Sequence, residues 1–239
     1  MRESEWLCCD DPWPMLADLR GKVSGRKLRL FACGCVRGVW HLLRHHRSFE
    51  AVEAAEKIAD GQTPRAGTES IEMAARAVAR AAGLRRDRGW RSAWAAAAAA
   101  RHALQEREMA QEASWRTVDA VMYEAMERCD PTWIAQGAVA SQEQGLAAHA
   151  AKTAARKEHC HLLRDIVGNP FRPLPPRAFP PHVLGLAGAC YAAFPAVSDQ
   201  FLILADALDD LGEGRAAAHC REPLHVRGCH VLDWVLREE

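Results

Sequence analysis

The sequence has no excess charge of either sign, because 31 basic and 31 acidic side chains leave a formal net charge of zero. A neutral chain has no global field that would attract nucleic acid or an anionic membrane. It also has no uncharged apolar run of the ~20 residues that a spanning helix needs, since the stretch Val183–Val197 is shorter. The first six residues contain no apolar segment typical of a secretory signal. We therefore expect a soluble, cytoplasmic protein with no membrane partner.

The usual cysteine and enzyme signatures are missing as well. The nine cysteines are odd in number and follow no CxxC spacing, so in a chain without an export signal we expect reduced thiols. There is no GxSxG, no phosphate-binding glycine loop, no HExxH, and no GxGxxG behind a strand. We therefore assign no catalytic residue and expect a protein that is not an enzyme, although an enzyme of an unfamiliar type stays open.

Strand signals are almost absent, because no stretch alternates apolar and polar residues cleanly. Helical periodicity and helix caps dominate, so the sequence predicts an all-α fold, a multi-helix bundle or irregular helical array. The longest segment, Thr68–Gln105, contains six consecutive alanines at Ala95–Ala100, and Gly83 and Gly89 are expected to divide it. The other predicted helices are 12–19, Ser24–Leu43, Ser48–Asp60, Glu106–Cys129, Ser141–Val167, His182–Phe194, Ser198–Leu211 and Val226–Leu236.

A proline-rich segment supplies the best candidate for a domain boundary. Helicity ends at Gly168-Asn169-Pro170, and residues 170–181 contain six prolines. We predict a helical domain over 1–167 with an alanine-rich middle, a connector over 168–181, and a helical tail over 182–239 that packs on the first domain. The proline-rich segment should be ordered and should cross the bundle, with Phe171 and Phe179 as its anchors.

Several phrases at both ends of the chain form an ordered pattern. They are Glu5-Trp6-Leu7, Arg26–Cys33, Leu163–Pro173, Leu204–Asp210, and His219-Cys220-Arg221 followed by His225–Cys229. This pattern resembles a heavily duplicated family of uncharacterised bacterial proteins of planctomycete type, whose members join a similar head and tail through an alanine-rich middle of variable length. The chain departs from the family pattern at Gly34-Cys35 and at His230. The resemblance implies no catalytic role for any residue.

The densest group of metal-capable side chains lies near the C-terminus. If the last helix starts a residue early, His225, Cys229 and Asp233 share one face, and His219 and Cys220 arrive from the preceding turn. Zinc accepts thiolate and imidazole ligands in tetrahedral sets, so His219, Cys220, His225 and Cys229 form a candidate site. In the alternative, which we favour, the cysteines are small buried hydrophobes. A structural polar cluster of Arg164, Arg227 and Asp233 then fixes the tail.

A run of arginines gives a second candidate. The stretch contains six arginines and a single acid, Asp87, and Trp90 lies within it. The arginines are Arg76, Arg80, Arg85, Arg86, Arg88 and Arg91. Arginine with interleaved aromatic residues is typical of a phosphate-tracking surface. The overall neutrality favours an ordinary solvated helix face instead.

We therefore predict a non-enzymatic protein-interaction or scaffold module whose partner is another protein. The alternatives are a nucleic-acid-binding helical module that uses the arginine run, and a zinc-containing protein with a Cys/His site in its tail. The favoured interpretation includes no cofactor. The alternative with a Cys/His site in the tail requires zinc.

Overall fold

The structure, a computed structural model, describes residues 1–64, 67–84, 89–105, 109–130, 140–196 and 199–237. Within these ranges every regular element is a helix and no residue lies in a strand, which confirms the all-α prediction. Contacts divide the chain into a central unit, Asp10–Cys160, and a discontinuous unit, Met1–Cys9 with His161–Glu239. The division falls before the predicted connector 168–181 and groups the first nine residues with the C-terminal region.

The central unit is built from a row of helices. They are α2 (Pro12–Asp18), α3 (Gly25–Gly38), α4 (His46–Ala59), α5 (Glu69–Leu84), α6 (Trp90–Leu104), α7 (Ala110–Cys129) and the larger part of α8 (Gln142–Val167), with a 3-10 turn at Trp40–Leu42. Ser24 caps α3 by accepting a hydrogen bond from the Lys27 N–H. The predicted helix over Ser24–Leu43 ends earlier than expected, because α3 stops at Gly38 and the 3-10 turn follows it.

The alanine-rich helix α6 lies at the centre of this unit. It packs against α3, α4, α5 and α7, and the side chains of Ala95–Ala100 are at most 7% exposed. Because a methyl group fills little space, neighbouring helices approach the α6 backbone closely. The predicted division of Thr68–Gln105 into two helices is confirmed, although Gly83 lies inside α5 and only Gly89, at φ +71°, occupies the N-cap position of α6.

The discontinuous unit contains α1 (Glu3–Cys8), the end of α8, α9 (Pro181–Ala193), α10 (Gln200–Asp210), α11 (Gly214–Cys220) and α12 (His230–Leu236). Its core follows helical spacing. Val183, Ala187 and Cys190 lie on α9, and Leu204 and Leu208 on α10, and all five are fully buried. The helices α1 and α11, of six and seven residues, were not predicted.

The proline-rich segment is held against the C-terminal helices of the same unit. Phe179 is 9% exposed and meets the Trp234 ring edge-on at 4.6 Å. The indole N–H of Trp234 donates to the Pro175 carbonyl at 2.8 Å. Phe171 is 40% exposed. Phe179 is thus an anchor as predicted, whereas the prediction for Phe171 was wrong.

Candidate metal centre

The end of α8 contributes the first residue of the site. Asp165 lies in the last turn of this helix and is only 3% exposed. The helix stops at Gly168, which has φ +73° and whose N–H donates to the Arg164 carbonyl at 2.8 Å. A side chain at this position would begin 2.7 Å from the His230 ring. The glycine therefore lets the chain turn and lets His230 lie against it.

The remaining residues come from α11 and the turns that follow it. His219 is in the last turn of α11, His225 lies in the loop, and Cys229 occupies the N-cap position of α12. The Glu222 N–H donates to the His219 carbonyl at 2.9 Å, and the Cys229 N–H donates to the Val226 carbonyl at 3.0 Å. These turns fold the loop back. The expected helix starting at Val226 was wrong, since α12 begins at His230.

Four potential ligand atoms converge on one point. Asp165 Oδ1 lies 3.0 Å from His219 Nε2 and 3.0 Å from His225 Nδ1. Cys229 Sγ lies 3.3 Å from His219 Nε2 and 3.9 Å from His225 Nδ1. All four atoms are within 4.8 Å of one another.

These separations match the edges of a tetrahedral zinc site. Zinc bonds of about 2.0–2.1 Å to nitrogen or oxygen and about 2.3 Å to sulfur give edges of about 3.3 Å between nitrogen and oxygen and about 3.6 Å between nitrogen and sulfur. The observed values, from 3.0 to 3.9 Å, lie around them. The donor set of two imidazoles, one thiol and one carboxyl also consists of groups that zinc accepts. The four side chains can therefore hold one ion with little rearrangement.

Hydrogen bonds from neighbouring groups orient the cluster. The second carboxylate oxygen of Asp165 accepts from the Val226 N–H at 2.9 Å, and the Asp165 carbonyl lies 2.9 Å from His230 Nδ1. The His225 ring stacks on Phe201 with centroids 4.0 Å apart and planes 4° from parallel. Such outer contacts fix the direction of metal ligands.

Burial and the neighbouring side chains together set the protonation states of the cluster. Burial alone would raise the pKa of Asp165, but hydrogen bonds from His219 and His225 outweigh it and lower that pKa to about 2. Burial raises the pKa of the Cys229 thiol well above its usual value, and the Asp165 charge adds to the effect. Without a cation, Cys229 is a thiol. A bound metal would make it a thiolate, because the ion's charge outweighs these terms.

The same geometry disfavours a Cys-His-Asp catalytic arrangement. In such a triad the carboxylate and the nucleophile contact opposite nitrogens of the imidazole. Here Asp165 and Cys229 both contact Nε2 of His219. A single ring nitrogen cannot hold a proton for the carboxylate and also accept one from the thiol. A shared metal ion requires instead that all the ligand atoms surround one point, as the four atoms do here.

The structure brings together three of the four predicted metal ligands and replaces the fourth. Cys220 is 1% exposed and lies in the apolar core, where burial raises its pKa to about 12. Adjacent residues of a helix point about 100° apart, so Cys220 and His219 face different sides of α11. Asp165 takes the fourth position. One feature of the sequence could have indicated Asp165, because an acid in the last turn of a helix is disfavoured by the helix dipole and needs a local partner.

The residues of the predicted polar cluster lie in the discontinuous unit, and the cluster stays a prediction. The Arg164 guanidinium donates to the carbonyls of Trp6 and Cys9 at 2.7–3.1 Å. Arg227 lies 5.0 Å from the centre of the Tyr191 ring. Asp233 is 3% exposed, as expected, and its N–H donates to the Cys229 carbonyl at 3.0 Å. Arg164 thus fastens the first residues of the chain to the end of α8.

The arginine run is described only in part. Arg85, Arg86 and Arg88 lie outside the described residues. Arg76 forms an ion pair with Glu72 at 3.3 Å, and Arg91 lies over the rings of Trp90 and Tyr123. Arg80 is exposed. The nucleic-acid interpretation stays a prediction.

Comparisons with protein-family models, curated proteins and solved structures find no match to this chain. The resemblance to the duplicated bacterial family stays a prediction. Among the described helices, none is long and apolar enough to cross a bilayer.

Proposed function

We propose that this protein is a zinc-stabilised helical scaffold, with one zinc ion held by Asp165, His219, His225 and Cys229. The observation that carries the proposal is the convergence of four ligand atoms at the separations of a tetrahedral zinc site. A set of two nitrogens, one sulfur and one oxygen suits zinc better than magnesium or calcium, which prefer oxygen ligands alone.

The proposed ion has a structural role. Four protein ligands complete a tetrahedron and leave no position for a reacting water, as in structural zinc sites. Asp165, His225 and Cys229 are each at most 3% exposed, and only the His219 side chain, 17% exposed, reaches solvent. The ion would join the end of α8 to α11 and to the start of α12. Its binding energy would then contribute to the folding of the discontinuous unit.

The interaction part of the proposal is supported by exposed aliphatic side chains in the same unit. Leu202 and Ile203 are adjacent on α10, and they are 54% and 55% exposed. Large aliphatic side chains that remain this exposed beside each other are typical of contact surfaces. A rigid, metal-held unit would present them in a fixed position to another protein.

The test compares two buried cysteines of the same unit. The full chain, purified in buffer freed of metals and then loaded with zinc, should retain one zinc per chain in elemental analysis. Cys229→Ser should lose this zinc, and Cys220→Ser, the matched control, should keep it. Cobalt substitution adds a spectroscopic measurement, because a tetrahedral cobalt–thiolate site gives intense visible bands and a near-ultraviolet sulfur-to-metal transition.

Each outcome has a defined meaning. Zinc retention by Cys220→Ser with loss in Cys229→Ser, together with a lower melting temperature after chelation, supports the proposal. Equal zinc content in the two variants would overturn the ligand assignment. A wild-type chain that retains no zinc and shows no cobalt bands would overturn the metal proposal as a whole. His182→Ala, at an exposed histidine outside the cluster, controls for zinc bound loosely at the surface.

A further inference from the structure

A second site lies in the central unit, where α4, α5 and α6 enclose a cleft of about 410 Å³. This volume is within the range of small-molecule sites, about 300–1,000 Å³. The cleft belongs to a different unit from the metal cluster and shares no residue with it. Ligand binding in the cleft would therefore not depend on zinc.

Small apolar side chains form the walls of the cleft. Ala77 and Ala81 are one helical turn apart on α5, and Ala93 and Ala97 are one turn apart on α6. The methyl groups leave a channel between two helix backbones that larger side chains would close. The Trp90 ring, at the start of α6, adds a broad apolar surface to the same cleft. The walls thus suit an unbranched aliphatic chain.

Basic groups line the side formed by α4. Arg44, His45 and Arg47 line the cleft at the N-terminus of this 14-residue helix, and no acidic side chain is among the lining residues that the structure describes. The positive end of the helix dipole adds to their charge. Arg47 pairs with Glu50 at 2.9 Å, but both side chains are more than 40% exposed, so water screens this pair.

The absence of a side chain at Gly89 leaves room for the Arg44 guanidinium. A Cβ atom on Gly89 would lie 2.4 Å from Arg44 Nη2 and 3.6 Å from a carboxylate oxygen of the buried Glu127. Glycine at φ +71° therefore allows the guanidinium to lie directly against the start of α6, beside Trp90. The apolar walls and the basic groups thus meet in one cavity.

We propose that this cleft binds a long-chain carboxylate, with its aliphatic tail between the alanine faces of α5 and α6 and its carboxylate toward Arg47, since Arg44 already lies beside the carboxylate of Glu127. An apolar cavity with a basic group on one side is complementary to an amphiphile with an anionic head. Guanidinium groups suit a carboxylate because they can donate two parallel hydrogen bonds to it.

The experiment uses three probes that share a ten-carbon chain and differ only in the head group: decanoate, 1-decanol and decyltrimethylammonium. Binding to the full-length protein is measured by titration calorimetry below the concentration at which any probe aggregates. We expect decanoate to bind most tightly and decyltrimethylammonium most weakly. Arg47→Glu should weaken decanoate by at least about ten-fold, equivalent to about 1.4 kcal/mol, and should leave 1-decanol nearly unchanged.

Two matched controls separate the cleft from general surface effects. Ala81→Phe places a ring in the cleft at an exposed position and should abolish binding of all three probes, whereas Ala154→Phe, exposed on α8, should not. Arg80→Glu, an exposed charge reversal on α5 outside the lining, should leave decanoate affinity unchanged. Absence of decanoate binding, equal affinity for decanoate and 1-decanol, or binding that survives Ala81→Phe would each overturn the proposal.

Discussion

Lowering the pH from 7 to 4 tests the buried imidazole of His159, on the part of α8 that belongs to the central unit. Its Nδ1 lies 2.9 Å from the Ser114 hydroxyl, and its Nε2 lies 3.2 Å from the Thr117 hydroxyl. The Thr117 hydroxyl donates to the Ser114 carbonyl, so its oxygen is available to accept from Nε2–H. The neutral imidazole with its proton on Nε2 satisfies every one of these groups. A second proton on Nδ1 would reverse the hydrogen bond with Ser114, so that the Ser114 hydroxyl proton would lose this acceptor.

The size of the effect follows from the pKa of His159, which burial lowers from 6.5 to about 4. Above pH 6.5 the imidazole is neutral in both states, and its contribution to stability is fully present. Between 6.5 and about 4 only the unfolded chain binds the proton, so the free energy of unfolding falls as the pH falls. Below about 4 both states bind it and the loss stops. The gap corresponds to about 3 kcal/mol, at about 1.4 kcal/mol per pH unit.

Denaturant unfolding at a series of pH values measures this loss. His159→Gln keeps a donor and an acceptor but cannot titrate, so the difference in unfolding free energy between wild type and variant should shrink by about 3 kcal/mol from pH 7 to 4. His161→Gln, at an exposed histidine two residues away, should leave the wild-type pH dependence in place. A constant difference between wild type and His159→Gln across this range, or an NMR titration of His159 near pH 6.5, would refute the reasoning.

Three further predictions concern other parts of the chain. Ala99→Leu, at a position with no exposed surface, should lower the unfolding free energy by about 1–3 kcal/mol because the larger side chain overpacks the core. Ala154→Leu, at an exposed position, should change the unfolding free energy by less than about 0.5 kcal/mol in the same denaturant experiment. Arg164→Ala removes the hydrogen bonds to the carbonyls of Trp6 and Cys9, so amide exchange in residues 1–9 should accelerate in mass spectrometry while exchange in α6 does not change. Asp233→Ala removes a buried carboxyl and should destabilise the fold by about 1–3 kcal/mol, yet elemental analysis should still find one zinc per chain.

The long helices were predictable because their ends carry local signals. Ser24 caps α3, and Gly89 occupies the N-cap position of α6. The short helix α11 gave no comparable signal, since seven residues span only two turns and tertiary packing decides their conformation. The tight turns between α11 and α12 had no recognisable sequence signal either. Consequently the sequence placed His225 and Cys229 on a helix, whereas the structure places them in and at the end of a loop.

The candidate site was predictable in composition but not in its full membership. His219, His225 and Cys229 lie within eleven residues of one another, so their proximity needed only a short loop. Asp165 is 54 residues before His219, and only the packing of α8 against the C-terminal segment brings it near. Cys220 was included in the candidate set because proximity in sequence does not show which way a side chain on a short helix points.

The chain order of the two units has a consequence for biosynthesis. The central unit is continuous, from Asp10 to Cys160, whereas the other unit needs both the first nine residues and the last seventy-nine. As the chain leaves the ribosome, the central helices can fold as soon as they emerge, because domains generally fold as units during synthesis. The segment Glu3–Cys8 must wait until α8 has been made before Arg164 can bind its carbonyls. The four side chains of the proposed zinc site are complete only later, when Cys229 emerges, so zinc capture would be among the last steps of maturation.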